Sequence, residues 1–546
     1  MNTQYKPKND AAPISKYDQR SLLQMVLYAR NLPSVDALGT DTVSEPINGV
    51  YEAEHRIRKA IQRNESILIY GDYDCDGMVA TAILAGCLRQ FKAKVAAYIP
   101  SREANGYGLT DAVVEQFSKR PYDLLITVDN GIAAIDQIRR IRELGSDVIV
   151  LDHHLPVTDE NGEVVLPDAY IVDPHLPYEP SYKGICGAGV VHQVIKQLNQ
   201  PYADYVEELV AVATLADVMP VTGENRNWLN RMIKQMETNP KHPFIKVALD
   251  YLKPPSPLTA EYIVFHLSPM INSVGRIGNP NQMVRVFLEP DTETLYQYIE
   301  SLDQINQKRK DISADLEATW MDQLQQTKSK QGAVLFISQY SGLTGIVAGK
   351  ASEKGQKPAI CFAWNETNHV WNGSGRSFGE INLYEILSAM PTETMLRWGG
   401  HEGACGITLA PDQKNIFELE FYKQCNRFYK KDPHLWTHSI YYDVEVPLTK
   451  YTLDEVKRLS KMEPFGEGNT KPLFFARGVA RNVRAIGSDK QHVKGTLNDG
   501  HGEVSFIAFN HKCREGTQIE GVFKETVNAY NNTETVQLQA VSMQTI

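Results

Sequence analysis

Three short apolar runs in this chain each end in a cluster of acids or histidines. Ile67-Leu68-Ile69-Tyr70 leads into Gly71-Asp72-Tyr73-Asp74-Cys75-Asp76-Gly77. Leu124-Leu125-Ile126-Thr127-Val128 leads into Asp129-Asn130-Gly131, and Val148-Ile149-Val150-Leu151 into Asp152-His153-His154. Short, continuous β-branched runs read as buried strands of a parallel sheet. In an open α/β sheet, ligands bind in the crevice beyond the carboxyl ends of the strands. The pattern therefore predicts an α/β layer with its polar clusters on one edge. Carboxylates and imidazoles gathered there would repel one another and lose hydration unless cations sat among them. Two divalent metals and a phosphate-processing reaction are the expectation. Taken singly, each cluster has a plainer reading: an acidic helix cap, a turn, a loop. Their shared position after three strand-like runs is what argues for a site.

The chain has 546 residues, too many for one core, so three or four domains are expected. A net charge of −10 argues against a protein that simply coats duplex, which would be basic. It leaves a nucleic-acid enzyme open, because the local field of a cleft outweighs the total. Seven scattered cysteines with no Cys-x-x-Cys pair indicate neither a disulfide framework nor a zinc ribbon. Reduced thiols and a cytoplasmic location are expected. The polar start, Met1-Asn2-Thr3-Gln4-Tyr5-Lys6-Pro7, has no signal-peptide core, and no apolar run is long enough to span a bilayer.

Residues 1–50 read as a leader with a short helix near Ser21–Arg30. Residues 51–290 alternate strand-like and helix-like runs. Met78–Phe91 has helical spacing, Lys94–Ile99 is a strand candidate, and Glu207–Ala216 is a helix ending at Asp217. Residues 291–330 have few turn formers and predict one long helix between two lobes. A second α/β unit is expected over 331–438. Over 439–546, alternating runs such as Val504–Phe509 and Val536–Val541, with turns at Asn498-Asp499-Gly500 and Asn531-Asn532, predict a small antiparallel barrel. Asp74 and Asp76, two apart, would face the same way if that stretch is extended.

Taken together, these strand-end clusters resemble the DHH phosphoesterase superfamily. Pro100-Ser101-Arg102 with Gly106-Tyr107-Gly108-Leu109, Leu215-Ala216-Asp217-Val218, Ile271-Asn272-Ser273-Val274-Gly275-Arg276 and Leu302–Arg309 are similar to RecJ-type exonucleases. Gly373-Ser374-Gly375-Arg376-Ser377 and Gly399–Gly406 resemble the DHH-associated domain. Pro464–Asn469 followed by Pro472-Leu473-Phe474 resembles the entry to the RecJ OB-fold domain.

The resemblance implies a fold of parallel-sheet DHH domain, connecting helix, second α/β DHH-associated domain and C-terminal OB-fold barrel. It implies Asp74, Asp76, Asp129, His153 and Asp217 as ligands of two Mn²⁺ or Mg²⁺ ions, Asp129 bridging, with Asp72 and His154 as ligands or supports. Asp129, His153, His154 and Arg276 become the catalytic set. Arg102, Tyr107, Asn272, Arg276, Ser374, Arg376, Ser377 and His401 become the substrate contacts. Many superfamily members carry a His where this chain has Tyr70, and the stretch Gln339–Lys350 departs from the family pattern at its start.

For the arginines, glycine-containing motifs let backbone approach an anion while the guanidinium fork grips phosphate oxygens. Gly342–Lys350 is not a P-loop, since Thr344 and Ala351 break the pattern. The expected activity is exonucleolytic hydrolysis of single-stranded DNA, from the 5′ end by family analogy, releasing 5′-mononucleotides. Among Phe474, Phe475, Phe506, Phe509, Phe523 and Tyr530, one or two are expected to stack on bases. Protein partners would be a single-strand-binding protein or a helicase, and a monomer is expected. Two alternatives stay open: a phosphodiesterase of the same superfamily acting on short oligoribonucleotides or cyclic dinucleotides, and a non-catalytic replication scaffold.

Overall fold

A computed structural model describes residues 4–8, 19–40, 42–101, 108–159, 161–487, 489–530 and 533–546, without the side chains of Ala529 and Tyr530. The chain divides into two compact units, Asp41–Trp436 and a second one made of Met1–Thr40 with Thr437–Ile546.

The larger unit begins with five parallel strands: β1 (Ser66–Tyr70), β2 (Lys94–Tyr98), β3 (Leu124–Val128), β4 (Asp147–Leu151) and β5 (Tyr170–Val172). Their spatial order is β2-β1-β3-β4-β5. Every residue of β3 is buried, as its unbroken apolar run requires. From β1 the chain goes out to β2, then returns to the other side of β1 to form β3. The β1/β3 boundary is therefore the topological switch point, where the loops leaving two adjacent strands part and open a crevice. Asp72–Asp76 follows β1 and Asp129 follows β3, so both clusters flank it.

Helix α1 (Cys75–Gln90) leaves β1 and is buried over its first fourteen residues, Cys75 to Leu88. It starts three residues earlier than Met78, because Asp74 caps it: Asp74 Oδ1 accepts from the Gly77 N–H at 3.0 Å. The stretch is thus not extended. Asp74 is the cap and Asp76 lies in the first turn. Helices α2 (Gly187–Leu198) and α3 (Gln200–Ala216) pack on α1, and α3 delivers Asp217 at its end. Helix α4 (Ser268–Ile277) closes this lobe.

Helix α5 (Thr292–Gln326) runs for 35 residues, about 52 Å at 1.5 Å per residue. Leu295, Ile299 and Leu302 near its start belong to the core of the first lobe, while Trp320 and Leu324 near its end belong to that of the second. The second lobe has five strands: β6 (Ala333–Ile337), β7 (Ala359–Asn365), β8 (Val370–Arg376), β9 (Arg397–Gly400) and β10 (Ala404–Leu409). They are ordered β9-β10-β8-β7-β6, with only β6 and β7 parallel. Helix α6 (Thr344–Gly355) crosses between β6 and β7.

The smaller unit is a closed five-stranded barrel of β11 (Phe474–Ile486), β12 (His492–Asn498), β13 (Glu503–Ala508), β14 (Gln518–Tyr530) and β15 (Thr533–Thr545). Pairing runs β11-β12-β13-β15-β14 and back to β11, the Greek-key closure of an OB-fold. Asn498-Asp499-Gly500 forms the β12–β13 hairpin; Asn531-Asn532 lies outside the described residues. Helix Leu22–Ala29, placed by sequence in a leader, puts Leu22, Met25 and Val26 into the same core as Phe474, Phe506 and Phe523. Those three phenylalanines and Phe475 are buried, which leaves Phe509, 44% exposed, as the barrel ring available to a ligand among the described candidates.

Candidate metal centre

Three loops and the end of α3 bring the acids together. Asp129 follows β3 with φ +60, a left-handed conformation that Asp tolerates better than most residues. The Asn130 side chain fixes this turn by donating to Val128 O at 2.9 Å. Val218, just after Asp217, is also left-handed at φ +56, which a β-branched residue adopts only under constraint. Ligand atoms of Asp76, His153 and Asp217 lie within 4.8 Å of one another, as do those of Asp72, Asp74 and Asp129, and those of Asp129, His153 and His154. Asp129 belongs to two of these groups and stands between the others. His153 Nε2 lies 3.1 Å from Asp129 Oδ1, 3.6 Å from Asp217 Oδ2 and 3.8 Å from Asp76 Oδ2.

The electrostatics of this cluster are adverse. Burial first, then the charges of Asp76, Asp74, Asp72 and Asp217, pushes the Asp129 carboxyl far above the usual carboxylate range. Burial and Asp76 likewise raise Asp74 and Asp217. Burial holds the His153 imidazole below its ordinary value. Asp129 Oδ1 and Asp217 Oδ2 are buried and accept no hydrogen bond. Acceptors left in this state, on carboxylates that repel each other, fit divalent cations held by oxygen with one or two imidazoles. Among the described residues none of these three groups includes a cysteine, the ligand that favours zinc.

Two backbone devices hold the acids in place. The Gly187 and Ala188 N–H groups, the first two of α2, donate to Asp76 Oδ2 at 2.6 Å and Oδ1 at 2.8 Å. An anion at a helix N-terminus satisfies orphan donors and meets the positive end of the dipole. Gly187 is needed for the approach: a Cβ there would sit 2.7 Å from Asp129 Cβ and 2.8 Å from its Oδ1. On the other side, Asn272 Oδ1 of α4 accepts from Cys75 N–H at 2.8 Å, and a Cβ on Gly275 would lie 1.8 Å from Tyr73 O. Asn272, read from sequence as a substrate contact, is thus engaged with the metal loop.

Asp152 does not join the metal groups. Its carboxylate accepts from the backbone N–H of Ile132 at 3.0 Å, of His153 at 2.8 Å and of His154 at 3.2 Å, and from His154 Nδ1 at 2.7 Å. Burial alone would raise Asp152, but these partners hold it near 2. In turn burial would lower His154, but Asp152 outweighs it and holds the imidazole up at about 9. Asp152 is therefore the orienting residue, and His154 presents its other ring nitrogen. Tyr70, at the position where a His was noted as usual, is fully buried and donates to Gly108 O at 3.0 Å. It packs with Leu109, Val113 and Phe117.

Three of the expected phosphate contacts, Arg276, Ser374 and Arg376, meet at the start of α6. Arg276 Nη1 donates to Gly342 O at 3.0 Å. A Cβ on Gly345 would lie 3.2 Å from Arg376 Nη2, and Ser374 Oγ lies 2.9 Å from Thr344 Oγ1. Two guanidinium groups and a helix N-terminus at one place make an anion-favouring surface. Ser377 donates its hydroxyl to Ile381 O, a structural bond. His401 is exposed on the β9–β10 hairpin, its Nδ1 accepting from Gly403 N–H at 3.2 Å. Arg102 and Tyr107 lie outside the described residues. Sequence reasoning missed the holding roles of Asp152 and of Gly187-Ala188; the run Gly187-Ala188-Gly189 opening an apolar helix was the available signal.

Comparison with known proteins places this arrangement. Residues 66–218 match the DHH family N-terminal domain, 322–426 the DHHA1 domain and 442–542 the RecJ OB domain. The chain is 29% identical to the single-stranded-DNA-specific exonuclease RecJ of Bacillus subtilis, over 90% of this chain and 63% of that protein. It is 28% identical to the protein of the same name from Haemophilus influenzae, over 95% of each. The crystal structure of Thermus thermophilus RecJ in complex with Mn²⁺ superposes with a TM-score of 0.80 at 26% identity, over 95% of this chain and 75% of that one. With all three domain models matched in order along one polypeptide, the chain belongs to the DHH family and is of the RecJ type.

Proposed function

We propose that the chain is a metal-dependent exonuclease that hydrolyses the phosphodiesters of single-stranded DNA, working from the 5′ end and releasing 5′-mononucleotides. The observation that carries this reading is the Asp129-centred cluster at the β1/β3 switch point, in a chain whose named relatives are single-stranded-DNA-specific exonucleases. Asp74, Asp76, Asp129, His153 and Asp217 would hold two Mn²⁺ or Mg²⁺ ions, with Asp72 beside them. Such ions supply Lewis-acid charge neutralisation and a nucleophile at neutral pH. The chain's own residues do the rest. Asp76 is pinned by the α2 N-terminus and Asp129 by its left-handed turn. Asp152 accepts from His154 Nδ1 and keeps the ring protonated at neutral pH, so Nε2 can donate to a phosphate oxygen. Arg276 and Arg376, at the start of α6, would grip phosphates of the strand.

The barrel suits the same substrate. Arg484 and Lys494 are directly opposite across β11 and β12. Like charges in that register destabilise a sheet, so an anionic partner is the economical reason for them. Phe509 adds an exposed ring. No helix among the described residues is long and apolar enough to cross a membrane. Repair or recombination in the cytoplasm, acting as a monomer beside a single-strand-binding protein or helicase, fits a site assembled from one chain. Digestion of a strand labelled at its 5′ or its 3′ end, with and without EDTA, tests the reading. Early release of the 5′ label, abolished by EDTA, is the expected result. Turnover of dinucleotides alone, or none with Mn²⁺, would overturn it.

A further inference from the structure

Helix α4 is entered through one turn of π-helix, Ile263–Leu267. Such turns are rare and often sit at functional sites, because they re-aim the side chains that follow. Counting rotation through the wider turn and then through α4, Phe265 falls within roughly 20° of Pro269 and Arg276. Burial agrees with that phase. Ile263, Leu267, Met270, Ile271 and Val274 are buried, whereas Phe265 is 67% exposed.

This face has a known outlook at its other end. Asn272 on its flank holds Cys75 in the metal loop, and Arg276 reaches Gly342 at the start of α6. It therefore faces the cleft between the metal loop and the second lobe. Phe265 lies eleven residues before Arg276, about 16 Å along the axis. Its neighbour His266 stacks on Tyr262 at 4.1 Å and 2°, whereas Phe265 has no ring partner among the described residues. Single exposed apolar side chains are ordinary; what sets Phe265 apart is its place on the face that carries Arg276.

We propose that Phe265 stacks on a nucleobase of the single strand, several nucleotides from the bond being cut. The inference rests on the exonuclease reading and assigns the strand a contact outside the metal centre. Aromatic stacking is sequence-tolerant, since every base has a π face. At about 3.4 Å per stacked nucleotide, 16 Å corresponds to about five nucleotides, fewer if the strand is extended. At stacked spacing Phe265 is out of reach of a trinucleotide and within reach of a twelve-mer.

The experiment compares wild type, Phe265→Ala, Phe265→Leu and Phe265→Trp on oligodeoxyadenylates three and twelve nucleotides long, in Mn²⁺. Because the side chain is exposed, equal melting temperatures are expected and are measured first. Phe265→Ala should raise KM for the twelve-mer roughly tenfold at unchanged kcat and leave the trimer unaffected. Trp should restore the wild-type KM and Leu should not. Equal effects on both lengths, or restoration by Leu, would overturn the stacking role. Failure of the wild type itself to release nucleotides would instead overturn the exonuclease reading on which the proposal stands.

Discussion

Gly187→Ala puts the central geometry under direct stress. The new Cβ would lie 2.7 Å from Asp129 Cβ and 2.9 Å from its Cγ. Carbon atoms settle at about 3.5–4.0 Å, so one partner must retreat by about 0.8 Å. If Asp129 retreats, a proposed metal ligand moves several times farther than the roughly 0.2 Å that ligation tolerates. If α2 retreats, the N–H bonds to Asp76 of 2.6 and 2.8 Å stretch out of range. Each such bond to a charged group contributes about 1.5–3 kcal/mol. Overpacking costs about 1–3 kcal/mol, and alanine's better helix propensity offsets up to about 1 kcal/mol of it. The expected outcome is a modest loss of stability with a loss of metal affinity of about 10–100-fold. Calorimetric Mn²⁺ titration and thermal unfolding measure the two separately. A variant with wild-type metal affinity and turnover would refute the claim that α2 and Asp129 meet at this distance.

Two further outcomes are expected. His242 is 1% exposed, its Nδ1 has no hydrogen-bond partner, and burial lowers it to about 3. The unfolded chain binds this proton near pH 6.5 and the folded chain does not, so its contribution is lost as pH falls below 6.5. Between pH 7 and 5 that is roughly 2 kcal/mol, so His242→Phe should lose less stability over this range than wild type; parallel denaturation curves would contradict it. In the barrel, replacing Arg484 and Lys494 by Ala should lower the salt dependence of strand binding by about 0.7 per lost phosphate contact without reducing stability, read from binding isotherms at several salt concentrations.

What the sequence made legible was periodic or local. The three apolar runs are strands whose ends meet because parallel strands align their carboxyl ends, and Asp74, Asp129 and His153 come together accordingly, with Asp217 brought in by the end of α3. The long helix and the Asn498-Asp499-Gly500 hairpin also follow from local composition. The conformation of Asp74 and Asp76 did not, since an acidic cap and an extended stretch use the same residues, and only the bond to Gly77 N–H decides. Asp152-His153-His154 does not say which acid faces the pocket; the turn after β4 aims Asp152 at backbone amides instead. Asn272 can serve a phosphate or a peptide N–H equally well, and its partner is almost two hundred residues away. Leu22–Ala29 packs into a barrel formed more than four hundred residues later, a contact with no local signal.

In the proposed centre Asp129 joins two cation sites into one hydrolytic unit. Mn²⁺ stoichiometry of wild type and Asp129→Ala, followed on the same samples by nucleotide release, tests it most directly. Two ions per wild-type chain, at most one in the variant, no hydrolysis by the variant and an unchanged circular-dichroism spectrum are expected. Two tightly bound ions and wild-type nucleotide release after loss of Asp129 would contradict it.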